Sequence, residues 1–117
     1  MTDGKRAALA FICGNMYKNL VGTRLYDYNR NKYIPYNLQR NSLEVNLYDF
    51  DRCSYVSGNY RQLYDYKTNS YIQLNINNTS FNGYDFLSNT IFNGIINNNM
   101  VSIFDYEHMK YFNYVIY

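Results

Sequence analysis

Five aspartates recur at matching points of the chain, and their spacing makes them the first candidates for chemistry. Each stands between two aromatic residues; they are Asp27, Asp49, Asp65, Asp85 and Asp105. Carboxylates gathered at one edge of a sheet could coordinate calcium, which takes six to eight oxygen ligands. An aspartate at the start of a tight turn instead accepts a backbone N–H two residues on. We favour this turn-capping role, because the segments lack the dense acidic and glycine pattern of calcium loops. We therefore expect no metal site and no cofactor.

The aspartates belong to a repeat that predicts β-hairpins. In each copy an aromatic residue, the aspartate and an aromatic residue precede four turn-like residues and another large apolar residue. The copies span residues 26–33, 48–55, 64–71, 84–91 and 104–111. A four-residue loop between the aspartate and the residue five positions later closes a hairpin. The sequence therefore predicts five hairpins.

Each hairpin is expected to have two unlike faces, because side chains alternate across a strand. One face is aliphatic, and we interpret it as the core; it carries Leu25, Ile34, Leu47, Val56, Leu63 and Ile72. The other face carries tyrosine pairs, which form the candidate interaction surface: Tyr26, Tyr33, Tyr48, Tyr55, Tyr64 and Tyr71. If this face is uncovered, its amphipathic rings can stack on sugars, peptides or bases. If a second layer covers it, the same rings belong to the core.

The segment before the hairpins predicts a single helix near residues 4–20. Apolar residues recur there at helical spacing, at Leu9, Ile12, Cys13, Met16, Tyr17 and Leu20. Thr2 or Asp3 can cap the start of this helix, and Gly22 can end it. Lys5 and Arg6 precede a short apolar run, but no small-x-small cleavage site follows, so we expect no signal peptide. The apolar stripe is expected to pack on the aliphatic face of the sheet.

The chain is expected to form a single domain over residues 1–117, with the helix in 1–22 and the repeated hairpins in 23–117. Short connections predict a mainly β fold, an antiparallel meander of about eight to ten strands in a sheet, sandwich or barrel-like arrangement. Residues 81–96 leave an alternative, because Tyr84, Leu87, Ile91 and Ile95 also share helical spacing. We favour strands there, on the position of the repeat.

Residues suited to catalysis are few. His108, the one histidine, falls in the loop of the fifth repeat, where a solvated turn residue is expected. Cys13 and Cys53 lack the close spacing of a redox or zinc motif, and we interpret each as a buried free thiol. The six glycines are scattered and form no phosphate-binding loop. An enzyme is therefore not the favoured interpretation.

Charge and composition narrow the choice of partner. The net charge of +2 and the pI of about 8.5 are mild, so nucleic-acid binding is not expected. Residues 1–61 carry nine Lys or Arg against five acids, whereas residues 62–117 carry two against four. No stretch is long and apolar enough for a transmembrane helix, and we expect a cytoplasmic protein with no membrane partner. Protein, carbohydrate and a second copy of the chain stay open as partners.

Two classes of function follow from these patterns. The first is a small non-catalytic binding or assembly module that uses the tyrosine-rich face. The second is a small enzyme or a nucleic-acid-binding protein whose site the sequence does not reveal. For nucleic acid, the candidate phosphate contacts are Arg24, Arg30, Lys32, Arg40, Arg52 and Arg61.

Overall fold

The computed structural model of the protein describes residues 1–18 and 22–117. Within them lie one helix and ten strands, so the predicted mainly β class is confirmed. The elements are α1 (Asp3–Lys18), β1 (Arg24–Asp27), β2 (Lys32–Arg40), β3 (Glu44–Asp49), β4 (Ser54–Asn59), β5 (Gln62–Asp65), β6 (Ser70–Asn77), β7 (Ser80–Asp85), β8 (Thr90–Asn97), β9 (Met100–Asp105) and β10 (Lys110–Ile116).

The strands form an antiparallel meander that closes on itself. Each strand pairs with the next along the chain, and β1 also pairs with β10, which makes a ten-stranded barrel without free edges. The predicted hairpin register is confirmed: Tyr26 lies opposite Tyr33, and Asp27 lies opposite Lys32. Residues 81–96 lie in β7, β8 and the turn between them, so the helical alternative for this segment is wrong.

The aliphatic face of the hairpins lines the interior of the barrel, which confirms its interpretation as the core. All six of its residues are buried: Leu25, Ile34, Leu47, Val56, Leu63 and Ile72. The opposite face of each strand forms the outer wall, as the period of two requires. The tyrosines of the repeat therefore lie on the outside of a closed barrel.

Helix α1 packs on the aliphatic face, as predicted, and it does so inside the barrel. Residues 4–15 are all buried, so its whole circumference contacts the wall. Lys5 reaches Asp85 on β7, whereas Phe11 packs on Tyr36 of β2, the strand across the barrel from β7, with ring centroids 4.7 Å apart. A helix that is apolar or small on every side is typical of such a buried position. The sequence predicted burial of one apolar stripe, whereas every side of the helix is buried. Residue 20, the last member of that stripe, lies outside the described residues.

Glycines leave room for neighbouring side chains, both between the helix and the wall and within the wall. A β-carbon at Gly14 would lie 2.3 Å from the Ile116 side chain, and one at Gly94 would lie 2.0 Å from the ring of Phe81. A β-carbon at either position would therefore require the neighbouring side chain to shift within a close-packed interior.

The odd-numbered strands place the five aspartates at one end of the barrel. In a meander all odd strands run in the same direction, and each one here ends at a repeat aspartate. We call this end the aspartate rim. Helix α1 begins at the same end, because Lys5 and Arg6 contact Asp85 and Asp105. In the part of the chain that the structure describes, no helix has the length and apolar character needed to cross a membrane.

Candidate functional site

Aromatic side chains form a cluster on the outer wall at each hairpin of the aspartate rim. In four clusters the ring before the aspartate contacts two others at centroid distances of 4.7–4.9 Å and interplanar angles of 68–79°. The fourth hairpin has one such contact, between Tyr84 and Phe86, because Ile91 stands where the other hairpins have a third ring. These aromatic clusters are Tyr26/Tyr28/Tyr33, Tyr48/Phe50/Tyr55, Tyr64/Tyr66/Tyr71, Tyr84/Phe86/Ile91 and Phe104/Tyr106/Tyr111.

The clusters are open to solvent. The central rings are half-buried by their neighbours, whereas Tyr33, Tyr55 and Tyr71 are 54%, 47% and 49% exposed. Edge-to-face packing is the geometry that aromatic quadrupoles prefer, and it holds each ring in a defined orientation. The six candidate tyrosines thus lie on one face, in three clusters of the same geometry.

Polar side chains flank the clusters on the neighbouring strands. The residue opposite a central ring is an amide or a hydroxyl in four places: Asn37 opposite Tyr48, Ser57 opposite Tyr64, Gln73 opposite Tyr84 and Asn93 opposite Phe104. The Asn93 amide donates to the Tyr106 hydroxyl at 3.1 Å. In the first cluster the guanidinium of Arg24 lies 5.1 Å from the centre of the Tyr33 ring. Ring faces, phenol hydroxyls and amides therefore stand side by side.

The repeat aspartates hold the turns beneath these clusters. Asp27 Oδ1 accepts the backbone N–H groups of Asn29 and Arg30 at 2.9 and 3.2 Å. In the other four copies too, the carboxylate accepts the N–H two residues on. The fourth residue after each aspartate has positive φ, which asparagine tolerates well; these residues are Asn31, Cys53, Asn69, Asn89 and Met109.

Each repeat aspartate also faces a cation, although all five side chains are buried. Asp27 accepts from Arg30 Nε at 2.7 Å, and Asp49 accepts from Arg52 Nε at 2.7 Å. The same Arg52 reaches Asp65 through Nη1 at 2.8 Å. Arg52 thus links the second and third hairpins, and Arg30 Nη1 links the first to the second by donating to Asp51 Oδ2 at 3.0 Å.

Helix α1 supplies the cations for the last two aspartates. Lys5 Nζ lies 2.5 Å from Asp85 Oδ1 and also donates to Ser70 Oγ at 2.8 Å. Arg6 Nε and the Met1 amino group each donate to Asp105 Oδ2 at 3.0 Å. Five cationic groups thus face five carboxylates among the described residues, as buried charges require. The positive end of the helix dipole points to the same carboxylates.

The environment of Asp105 shows how this balance acts on a titrating group. Burial by itself raises the pKa of the carboxyl, but the hydrogen bonds and charges of the Met1 amino group and Arg6 outweigh it. The pKa of Asp105 therefore lies below its ordinary value of 3.8. The carboxyl is ionised at neutral pH and acts as an anchor for the helix.

The best arrangement for a metal ion in the described residues consists of Asp105, Glu107 and His108, whose ligand atoms lie within 4.8 Å of one another. Asp105 is already bound to Arg6 and the Met1 amino group. His108 Nε2 lies 3.1 Å from the Met1 carbonyl oxygen and 3.4 Å from Glu107. These side chains hold the start of the helix in place.

The two cysteines differ in their surroundings. Cys13 is buried in the helix, as predicted, and burial raises the pKa of its thiol. The prediction of a buried thiol is wrong for Cys53, which is exposed. Cys53 occupies the positive-φ position of the second turn, so its side chain lies on the outside of the hairpin.

The partners of the aspartates are the functional contacts that sequence reasoning missed. A local signal was present for two of them, because Arg30 and Arg52 both stand three residues after a repeat aspartate. Lys5 and Arg6 also carried a signal, as charged residues beside a run of small and apolar residues. Their role as ion partners of Asp85 and Asp105 depends on contacts between distant parts of the chain.

Comparison with known proteins gives no relative from which a function could be carried over: no family model, no curated protein and no solved structure matches the chain.

Proposed function

We propose that the protein is a non-catalytic binding module, and that the first three aromatic clusters form a binding surface for carbohydrate. The observation that carries the proposal is the repetition of one geometry on the outer wall. Tyr33, Tyr55 and Tyr71 occupy equivalent positions in three clusters, and each leaves about half of its surface exposed. Contiguous exposed aromatic surface on a soluble domain is a mark of an interaction site.

The chemistry of the clusters suits a sugar. A pyranose ring has an apolar C–H face that packs on an aromatic face, and its hydroxyls bond to amides and phenols at the edge. Each of the second and third clusters has such a polar neighbour, Asn37 and Ser57 respectively. Tyrosine, serine and asparagine together give adaptable contacts at low entropic cost, as in antibody binding sites.

The spacing of the clusters favours a polymer over a single sugar. Neighbouring hairpins are two strands apart, so their clusters repeat at roughly 10 Å along the rim. A chain of sugars that reaches two or three clusters gains affinity from effective concentration without any new kind of contact. Affinity is therefore expected to rise with the length of the oligosaccharide.

The test compares the native protein with the triple variant Tyr33→Ser/Tyr55→Ser/Tyr71→Ser in affinity electrophoresis. The gels contain soluble β-glucan, xylan or dextran, or a single-stranded oligonucleotide as a separate arm. If each lost stacking contact is worth about 1 kcal/mol, as for bases on aromatic rings, the triple variant should bind at least about 100-fold more weakly.

Tyr60→Ser is the matched control. Tyr60 is an exposed tyrosine in the turn between β4 and β5, at the other end of the barrel, and its loss should not change binding. Native protein that is retarded by none of the polysaccharides would contradict the proposal. Retardation by the oligonucleotide alone would contradict it as well, and would favour the nucleic-acid alternative.

A further inference from the structure

One sector of the outer wall has no charge. Between Lys67 and Glu107 the chain contains two charged residues, Asp85 and Asp105, and both are buried. The outward face of β6, β7, β8 and β9 therefore presents uncharged side chains alone, and we call it the charge-free sector. The depletion of charged side chains is typical of the centre of a protein–protein interface.

The fourth hairpin gives this sector an aliphatic ridge. Ile91 and Ile95 are 50% and 58% exposed on the outer face of β8. The first three copies have tyrosine at the position of Ile91 and asparagine at that of Ile95: Tyr33 and Asn37, Tyr55 and Asn59, Tyr71 and Asn75. The fourth hairpin thus has isoleucine at two outward positions that are both polar or amphipathic in the first three. Exposed isoleucines that replace polar residues indicate a surface that is covered by a partner.

A shallow groove runs beside the ridge. It has a volume of about 200 Å³, and its wall includes Phe104, Tyr106 and Tyr111 on one side and Ile95 on the other. Ridge and groove lie on adjacent strands of one wall. Such a surface can be self-complementary, because a two-fold axis brings the ridge of each copy to the groove of the other.

We propose that the charge-free sector is the interface of a two-fold symmetric homodimer. Charge favours a second copy as the occupant. Each copy carries a net charge of +2, and the exposed basic residues Arg24 and Lys32 lie on β1 and β2, on the opposite half of the barrel, whereas Arg61 borders the sector beside Gln73 and Tyr84. Two copies that meet through the ridge on β8 bring uncharged side chains together at the centre of the interface and leave Arg61 at its rim, whereas a strongly charged partner would find no ion-pair partner at that centre.

The size of the sector determines the strength of the dimer. Four strands of six to eight residues present on the order of 400–500 Å² per copy, from the ordinary spacings of a sheet. Stable interfaces bury about 800 Å² per partner, so the dimer is weak and depends on concentration. Tyr71 on β6 lies at the edge of this sector, whereas Tyr33 on β2 and Tyr55 on β4 lie outside it. The dimer therefore does not depend on carbohydrate binding at the first two clusters.

The test is sedimentation equilibrium of the native protein and two variants from about 10 μM to about 1 mM, the range in which a small interface associates. The variant Ile91→Tyr/Ile95→Asn introduces the residues of the first three hairpins and should keep the fold. It should raise the dimer dissociation constant at least about tenfold. Ile95→Lys places like charges across the two-fold axis, and its dimer should weaken further at low salt.

Tyr33→Ser, which changes an exposed side chain of the first cluster on β2, across the barrel from β7, is the control and should leave the dissociation constant unchanged. Native protein that stays monomeric over the whole range would overturn the proposal, and so would a dimer that neither isoleucine variant weakens. A dimer that Tyr33→Ser weakens as much as Ile95→Lys does would also overturn it, since the interface would then lie elsewhere.

Discussion

The buried pair of Lys5 and Asp85 gives the sharpest test of how the helix is held inside the barrel. The two side chains are 0% and 1% exposed, and Nζ lies 2.5 Å from Oδ1. Lys5→Met keeps the length and most of the volume of the side chain but removes its charge. We expect this variant to fold with clearly reduced stability.

The magnitude follows from what the substitution leaves behind. Asp85 keeps the Ser88 hydroxyl at 2.9 Å and weaker backbone contacts, but its charge stays buried without a cation. Removing one partner of a buried pair costs about 3–5 kcal/mol. A domain of this size has a total stability of roughly 5–15 kcal/mol, so the loss should be a large fraction of the whole.

The assay is urea unfolding followed by circular dichroism, with a double-mutant cycle through Asp85→Asn and the combined variant. The two single losses should exceed the combined loss by about 0.5–3 kcal/mol, because the residues contact each other. Lys67→Met is the matched control, since Lys67 is an exposed lysine, and it should change stability by less than about 0.5 kcal/mol. If Lys5→Met behaves like this control, or if the two losses simply add, the buried ion pair does not hold the helix.

Three further predictions concern the turns, the aspartate rim and the packing of the wall. Cys53→Asn and Met109→Asn should each raise the free energy of unfolding by about 0.5–1 kcal/mol in urea titrations, because both residues have positive φ, which asparagine adopts more readily. No gain in either variant would contradict this. Since the folded pKa of Asp105 lies below 3.8, its stabilisation is present above that pH and lost as the pH falls through the folded value. The melting temperature should therefore drop below about pH 4, and this drop should be smaller in Asp105→Asn; equal drops would argue against the ion pair. Gly94→Val should lower the free energy of unfolding by at least about 1–3 kcal/mol in a urea titration, because its β-carbon would meet the ring of Phe81. An unchanged free energy would contradict this, since Phe81 would then move aside without cost.

The hairpins could be predicted from the sequence because their determinants are local. The number of residues between Asp27 and Lys32 determines the length of the loop. The loop length in turn determines the register that places Tyr26 opposite Tyr33. Barrel closure was not predictable in this way. It depends on pairing between Tyr26 and Val115, which are far apart in the chain and share no local motif.

The position of the helix was predicted only in part. The sequence pattern indicated a stripe of apolar residues, and Leu9 and Ile12 are indeed buried. Burial of Ala7 and Ala10 as well follows from enclosure by the barrel, which small side chains permit but do not require. The spacing of residues on a helix cannot distinguish one packed face from a surrounded helix when the other faces are small.

The candidate site shows the same division between local and distant contacts. The turn bonds of Asp85 follow from its place in the repeat, whereas its ion partner Lys5 is 80 residues away. Exposure of the tyrosine clusters also depends on closure, because a second layer over that face would have suited the same sequence. The exposed position of Cys53 follows from its place at a turn, which outweighs the general tendency of cysteine to be buried.

The central claim, that the outer aromatic clusters bind carbohydrate, is tested most directly by NMR of protein with ¹³C-labelled tyrosine rings during titration with β-glucan or xylan oligosaccharides. The ring signals of Tyr33, Tyr55 and Tyr71 should shift in a saturable way. Those of Tyr36 and Tyr114, which are buried inside the barrel, should stay in place. Saturable shifts confined to Tyr60, or no shift at any of the three exposed rings, would contradict the claim.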